Sequence, residues 1–224
     1  MYCRKLLSVF GWTNLSNRRC RRECTGIGKL SLLWESVQKN RLAAVALGGN
    51  RPSPEGDPAA TLIAALRAIS QEIGVIVSVS RFFRTPASPP GSGPDFVNAA
   101  ALIATGLDAP ALLAALHGIE ARFGRARALR WGARTLDLDL LAQGDAVLPD
   151  PATEARWRTL PPARQREETP DRLILPHPRL QDRAFVLIPL AEIAPLWRHP
   201  VTGQTVAEML EALPEADKAA ICPI

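Results

Sequence analysis

From Leu42 onward, apolar and polar positions fall into short blocks that alternate between a period near two and a period near 3.6, with Pro and Gly between them. The run Leu42–Leu47, Leu-Ala-Ala-Val-Ala-Leu, predicts a strand. Asp57-Pro58 then supplies a cap and first position for a helix to about Glu72, which Gly74 ends. The pattern continues with a strand over Val75–Arg84, a loop over Pro86–Pro94 and a strand over Phe96–Ala104. A helix follows from Asp108, with Pro110 in its first turn, and ends at Phe123-Gly124. An Arg-rich loop leads to a last strand, Leu136–Ala142. The order βαββαβ predicts an α+β, ferredoxin-like sandwich: an antiparallel sheet with helices packed on it. Asp145–Arg172 reads as a surface excursion, Leu173–Pro176 as a short further strand, and Phe185–Ile193 and Val206–Leu213 as helices resting on the body.

Composition changes this picture only at the start of the chain. The 224 residues, 47% of them hydrophobic, suffice for one core. A net charge of +5 would suggest a nucleic-acid partner if it were spread evenly. Residues 1–41, however, hold nine Lys or Arg against two acids, a balance of +7, which leaves −2 for everything that follows. The division expected is therefore a basic, unstructured extension over 1–41 and one domain over 42–224, with no broad basic face for nucleic acid. Cys3, Cys20 and Cys24 lie in the extension and Cys222 near the other end. Cys20-x-x-x-Cys24 lacks a second pair at zinc spacing, so free thiols in a reducing, cytoplasmic compartment are expected. No apolar run has the length of a membrane span.

The densest chemistry is Arg130-Trp131-Gly132-Ala133-Arg134-Thr135-Leu136-Asp137-Leu138-Asp139-Leu140-Leu141. In a strand, Leu136, Leu138 and Leu140 face the core, and Asp137 and Asp139 stand about 7 Å apart on the other face. Paired carboxylates suit a hard, oxygen-loving cation such as magnesium. Two acids on a strand are, taken alone, more often a solvated face. Arg125, Arg127, Arg130 and Arg134 shift the balance, because a cation cluster beside a metal pair suits a polyphosphate. His177, Arg183 and Phe185 form a second group, in which donors for phosphate precede a flat ring. The third is Arg84-Thr85-Pro86 through Phe96-Val97-Asn98, a loop longer than a hairpin needs that ends on an amide able to donate and accept at once.

Together these segments resemble the 6-hydroxymethyl-7,8-dihydropterin pyrophosphokinases. The likeness extends from Leu42 to about Pro200 and includes Ala46-Leu47-Gly48-Gly49-Asn50 and the helix end Ile119-Glu120. The resemblance implies transfer of the terminal diphosphate of ATP to a reduced pterin in folate biosynthesis; a monomer is expected, with neither nucleic acid nor membrane as partner. It implies that Asp137 and Asp139 bind two magnesium ions, and that Arg125 and Arg134 act with them in catalysis. The nucleotide would meet Glu120, Arg127, Trp131, Arg134, Leu140, Arg172, Ile174, His177 and Arg183. The pterin would stack between Phe96 and Phe185, read by Asn98 and by groups at Thr85, Pro86 and Ser88, with Trp131 on a lid. Departures from the usual pattern include Phe96 for Tyr, Gly49 for Ser, Ala133 for Pro, Pro178 for an aromatic and His117 for Gln.

Two rivals compete with this expectation. An RNA-binding module of the same fold needs exposed aromatics on its central strands, whereas these strands are aliphatic or acidic. A relative that binds nucleotide without catalysis would not need the acid pair and the arginines together.

Overall fold

The computed structural model describes residues 41–87, 93–124 and 134–224. The extension expected over 1–41 thus lies outside the described residues except for Arg41, which already opens the first strand, paired with Thr105.

Two strands form the middle of the sheet. β1 (Arg41–Gly49) runs antiparallel to β4 (Phe96–Thr105) on one side and to β5 (Asp137–Gln143) on the other. β2 (Val75–Val79) and β3 (Phe83–Thr85) share the far side of β4. Counting those two as one interrupted strand, the order is the one expected of a βαββαβ sandwich, and β6 (Cys222–Pro223) adds a short edge on β3. The single strand predicted over Val75–Arg84 is broken because Ser80 takes over the pairing. Its N–H donates to Ala100 O and its hydroxyl accepts from Ala100 N, both at 2.9 Å. A register shift between Ile76 and Ser78 precedes the break.

Three helices open in the same way. α1 (Pro58–Glu72), α2 (Ala109–Arg122) and α3 (Pro151–Arg158) are each capped by an aspartate, Asp57, Asp108 and Asp150, whose carboxylate accepts a first-turn N–H. α1 and α2 bury Leu62, Ala65, Ile69, Leu112, Leu116 and Ile119 against one sheet face, from which Val45, Leu47, Ile103, Leu136, Leu138 and Leu140 project. The opposite face carries Ala100 and Leu141, and α5 (Ala184–Ile193) and α6 (Val206–Glu211) cover that part with Val186, Leu187, Leu190, Val206 and Met209. Among the described residues this sheet presents no open aromatic platform of the kind the RNA-binding alternative needs.

The excursion differs from expectation. It holds α3 and a second short helix, α4 (Pro162–Glu167), and Glu154 of α3 is wholly buried. The Asp150-Pro151 pair that starts α3 repeats the signal at Asp57-Pro58. The strand expected over Leu173–Pro176 reduces to one bridge, Leu148 with Leu175. Pro149 and Pro176 follow these residues and have no N–H with which to extend a ladder. A last short helix, α7 (Glu215–Ala219), precedes β6. No helix among the described residues is long and apolar enough to cross a membrane.

Candidate active site

On the face covered by α5 and α6, small side chains of β1 alternate as Ala44, Ala46 and Gly48, beside Asn98 and Ala100 of β4 and Asp137, Asp139 and Leu141 of β5. The helices stop short of the end of this face that carries Gly48. There Gly48, Asn98, Asp137 and Asp139 line an open cleft with Phe185 and Val186 of α5. The alternation that buries Leu136, Leu138 and Leu140 therefore sets both carboxylates into this cleft.

Each carboxylate has a guanidinium beside it. Arg134 donates from Nη1 to Asp137 Oδ2, and Arg183 Nη1 lies 3.6 Å from Asp139 Oδ2. The Arg183 guanidinium also sits 5.6 Å from the centre of the Phe185 ring, over its face. Across the cleft, Asn98 is 7% exposed and its Nδ2 donates to Thr85 Oγ1 at 3.0 Å. Gly48 makes room for this amide, since a Cβ there would stand 2.7 Å from Asn98 Oδ1. The neighbouring Gly49 is just as tightly placed, 2.5 Å from Thr135 O if it carried a Cβ, so its loop and the segment before β5 touch backbone to backbone.

Asn50, given no role of its own in the sequence beyond closing the motif Ala46-Leu47-Gly48-Gly49-Asn50, ties this neighbourhood together. It is 4% exposed; its Nδ2 donates to Pro94 O at 3.1 Å, and its Oδ1 accepts from Arg134 N at 2.9 Å. Its own N–H donates to Arg134 O, also at 2.9 Å. One side chain thus joins the end of the loop before β4 to the residue that opens the approach to β5. An Asn directly after Gly48-Gly49 at a strand end was the available signal.

His177 follows the Leu148–Leu175 bridge. Burial, reinforced by Arg183 and Arg179, pushes its pKa down to about 3, so the ring is neutral. Its Nδ1 accepts from Arg179 N at 3.1 Å, which leaves the hydrogen on Nε2 as a donor.

The other predicted residues divide into four groups. Phe96 shares the face of Asn98 two positions away, and Thr85 pairs with Phe96 across the strands. Leu140, Ile174 and Glu120 are buried at 3%, 4% and 1% exposure; Leu140 belongs to the core under α1 and α2. Glu120 Oε1 accepts from Leu138 N at 2.7 Å. Arg172 is exposed and engaged with Asp171, and Pro86 is exposed at the start of its loop. Ser88, Arg125, Arg127, Arg130 and Trp131 lie outside the described residues.

Comparison with known proteins shows the family to which this fold belongs. The family model described as 7,8-dihydro-6-hydroxymethylpterin-pyrophosphokinase (HPPK) matches residues 44–195. A protein of Synechocystis sp. named 2-amino-4-hydroxy-6-hydroxymethyldihydropteridine pyrophosphokinase is 37% identical over 183 residues, 81% of this chain and 80% of its own. One of the same name from Pseudomonas aeruginosa is 39% identical over 76% of this chain and 90% of its own. Among solved structures, a Plasmodium falciparum HPPK-DHPS triple mutant with pteroate superposes over 83% of this chain with a TM-score of 0.58 at 13% identity, a likeness of fold. This chain spans 47% of that longer one. With the family model covering most of the chain and relatives of this identity over most of their own length, the chain belongs to the 7,8-dihydro-6-hydroxymethylpterin-pyrophosphokinase family.

Proposed function

We propose that the cleft beside Asp137 and Asp139 is where this enzyme, an ATP-dependent diphosphotransferase, moves the terminal diphosphate of ATP onto the hydroxymethyl oxygen of 6-hydroxymethyl-7,8-dihydropterin and releases AMP, a step in folate biosynthesis. The observation that carries the assignment to this cleft is that two carboxylates, a buried amide and an exposed ring converge on it.

The donor set fits magnesium. Asp137 and Asp139 offer hard oxygens at the mouth of a cleft, with side chains 22% and 38% exposed, which leaves the rest of each shell to phosphate oxygens and water. Among the described residues no third acid or histidine joins them. Asp137 and Asp139 would hold the magnesium, which would supply charge neutralisation for the phosphates.

The chain supplies position and charge. Arg134 and Arg183, with Arg125 and Arg127, hold the phosphates, and His177 donates from Nε2. Arg172, Ile174, Leu140 and Trp131 frame the nucleotide. Phe96 and Phe185 take the pterin between their rings. Asn98 reads its polar edge together with Thr85, Pro86 and Ser88. Among the described residues no side chain stands out as a general base. Alignment of the hydroxymethyl oxygen with the departing AMP therefore supplies most of the acceleration. We place the enzyme in the cytoplasm as a monomer, and residues 1–40 outside the catalytic domain, because β1 opens at Arg41 and every residue assigned here follows it.

The direct test is to combine the protein with ATP, magnesium and the hydroxymethyl-dihydropterin and to measure AMP. AMP formed only with the pterin present supports the reading; ADP instead, or release without pterin, overturns it.

A further inference from the structure

Glu120 closes the last turn of α2 with its side chain 1% exposed. Its Oε1 accepts from the backbone N–H of Leu138 at 2.7 Å. β5 ends the sheet in the strand order, with β1 as its neighbour on one side. At Leu138 the N–H points to the outer side, where a carboxylate takes the place of the carbonyl that another strand would offer. An ionised acceptor makes a hydrogen bond roughly twice as strong as a neutral one.

The position of this amide matters more than its strength. Leu138 lies between Asp137 and Asp139, so the peptide plane that Glu120 holds sets ψ of Asp137 and φ of Leu138, and with them the direction of both flanking side chains. The remaining freedom of Leu138 is removed by its register with Leu47 and by its side chain, 1% exposed in the core beneath α2.

We propose that Glu120 is a positioning residue for the metal-binding carboxylates, aligning Asp137 and Asp139 through the Leu138 amide instead of touching the nucleotide. This inference rests on the metal role given above to the two aspartates. Groups that orient metal ligands in this indirect way typically change metal affinity 10–100-fold when removed.

The test measures manganese affinity by electron paramagnetic resonance in the presence of an unreactive ATP analogue, for the wild-type protein, Glu120→Ala and Glu120→Gln. Nucleotide affinity is measured in parallel in chelator. Glu120→Ala should weaken manganese binding by about 10-fold or more. Glu120→Gln, which keeps an oxygen acceptor, should recover most of that loss, and nucleotide affinity in chelator should be equal in all three. Should the alanine variant fail to fold, Glu120→Asp takes its place, since it withdraws the carboxylate by one methylene and keeps the charge. Unchanged manganese affinity in a folded variant overturns the proposal, as does a matching loss of nucleotide affinity in chelator, which would make Glu120 a direct ligand. A wild-type protein that binds no manganese with nucleotide present overturns the metal assignment itself, and this inference with it.

Discussion

Replacing Gly48 with alanine should damage pterin recognition more than any other step. The new Cβ would stand 2.7 Å from Asn98 Oδ1, where ordinary contact begins at 3.4 Å, so one of them must give way by about 0.7 Å. The backbone resists, because Gly48 is held on both sides, in register with Asn98 of β4 and with Asp137 of β5. Asn98 must therefore turn about its side-chain bonds, which breaks its 3.0 Å bond to Thr85 Oγ1 in a place with little water to replace it. The lost hydrogen bond costs about 1 kcal/mol, and the crowding brings the total to about 1–3 kcal/mol of stability. A misdirected amide also fails to match the pterin edge, and a loss of about 1.4 kcal/mol there is tenfold in affinity. Calorimetric titration with an unreactive ATP analogue present should show pterin binding at least about tenfold weaker, with the affinity for the analogue itself little changed. Gly118→Ala is the control: nothing lies within 4 Å of a Cβ in that helical position, so stability should rise by up to about 1 kcal/mol with binding unaltered. Pterin affinity unchanged in a folded Gly48→Ala protein would refute the role given to Asn98.

Replacing Asp137 or Asp139 with alanine should nearly abolish AMP production while the circular-dichroism melt stays near wild type, because both side chains stand outside the apolar core; turnover close to wild type would remove the metal assignment. Phe185→Ala should weaken pterin binding by about 1–3 kcal/mol, the worth of one stacked ring, and ATP binding by less; equal losses would make the ring, 37% exposed, a packing residue only. Acid should destabilise the fold through His199, whose burial pushes its pKa down to about 4 while the unfolded chain titrates near 6.5. Between those values the unfolded state binds the proton that the folded state refuses, so stability rises with pH, at up to about 1.4 kcal/mol per unit from this group. Glu154, 3.7 Å from His199 Nε2 and pushed up by burial, contributes the opposite sign above its unfolded value. His199→Asn keeps an acceptor for Val201 N and Thr202 N, so denaturant midpoints from pH 4.5 to 7 should flatten; an unaltered slope would exclude His199 as the origin.

Much of this protein is legible before any coordinates are consulted, wherever the governing interaction is local. Aspartates at 57 and 108 announce helix starts because an N-cap acts within its own first turn, and Asp150 carries the same signal inside a stretch whose polarity reads as a surface excursion. The alternation from Leu136 to Leu140 separates core from cleft because successive side chains of any strand point oppositely. Those two rules suffice for the βαββαβ order and for the face on which Asp137 and Asp139 stand. They say nothing about partners brought together by register. Asn50 meets Pro94 and Arg134 across 44 and 84 residues only because β1 pairs with β4 on one side and β5 on the other, which carries the chain beyond Gly49 between both loops. Ser80 breaks a strand because Ala100 lies opposite, and Glu120 serves β5 because α2 packs beside an open strand edge. Glu154 lies in a stretch as polar as any loop, and its burial depends on Arg158 one turn away and His199 from the far end of the chain. A hydrogen bond has a range of about 3 Å, so the residue that receives it is named by whatever the folded backbone brings that close, and the order of residues along the chain does not contain that distance.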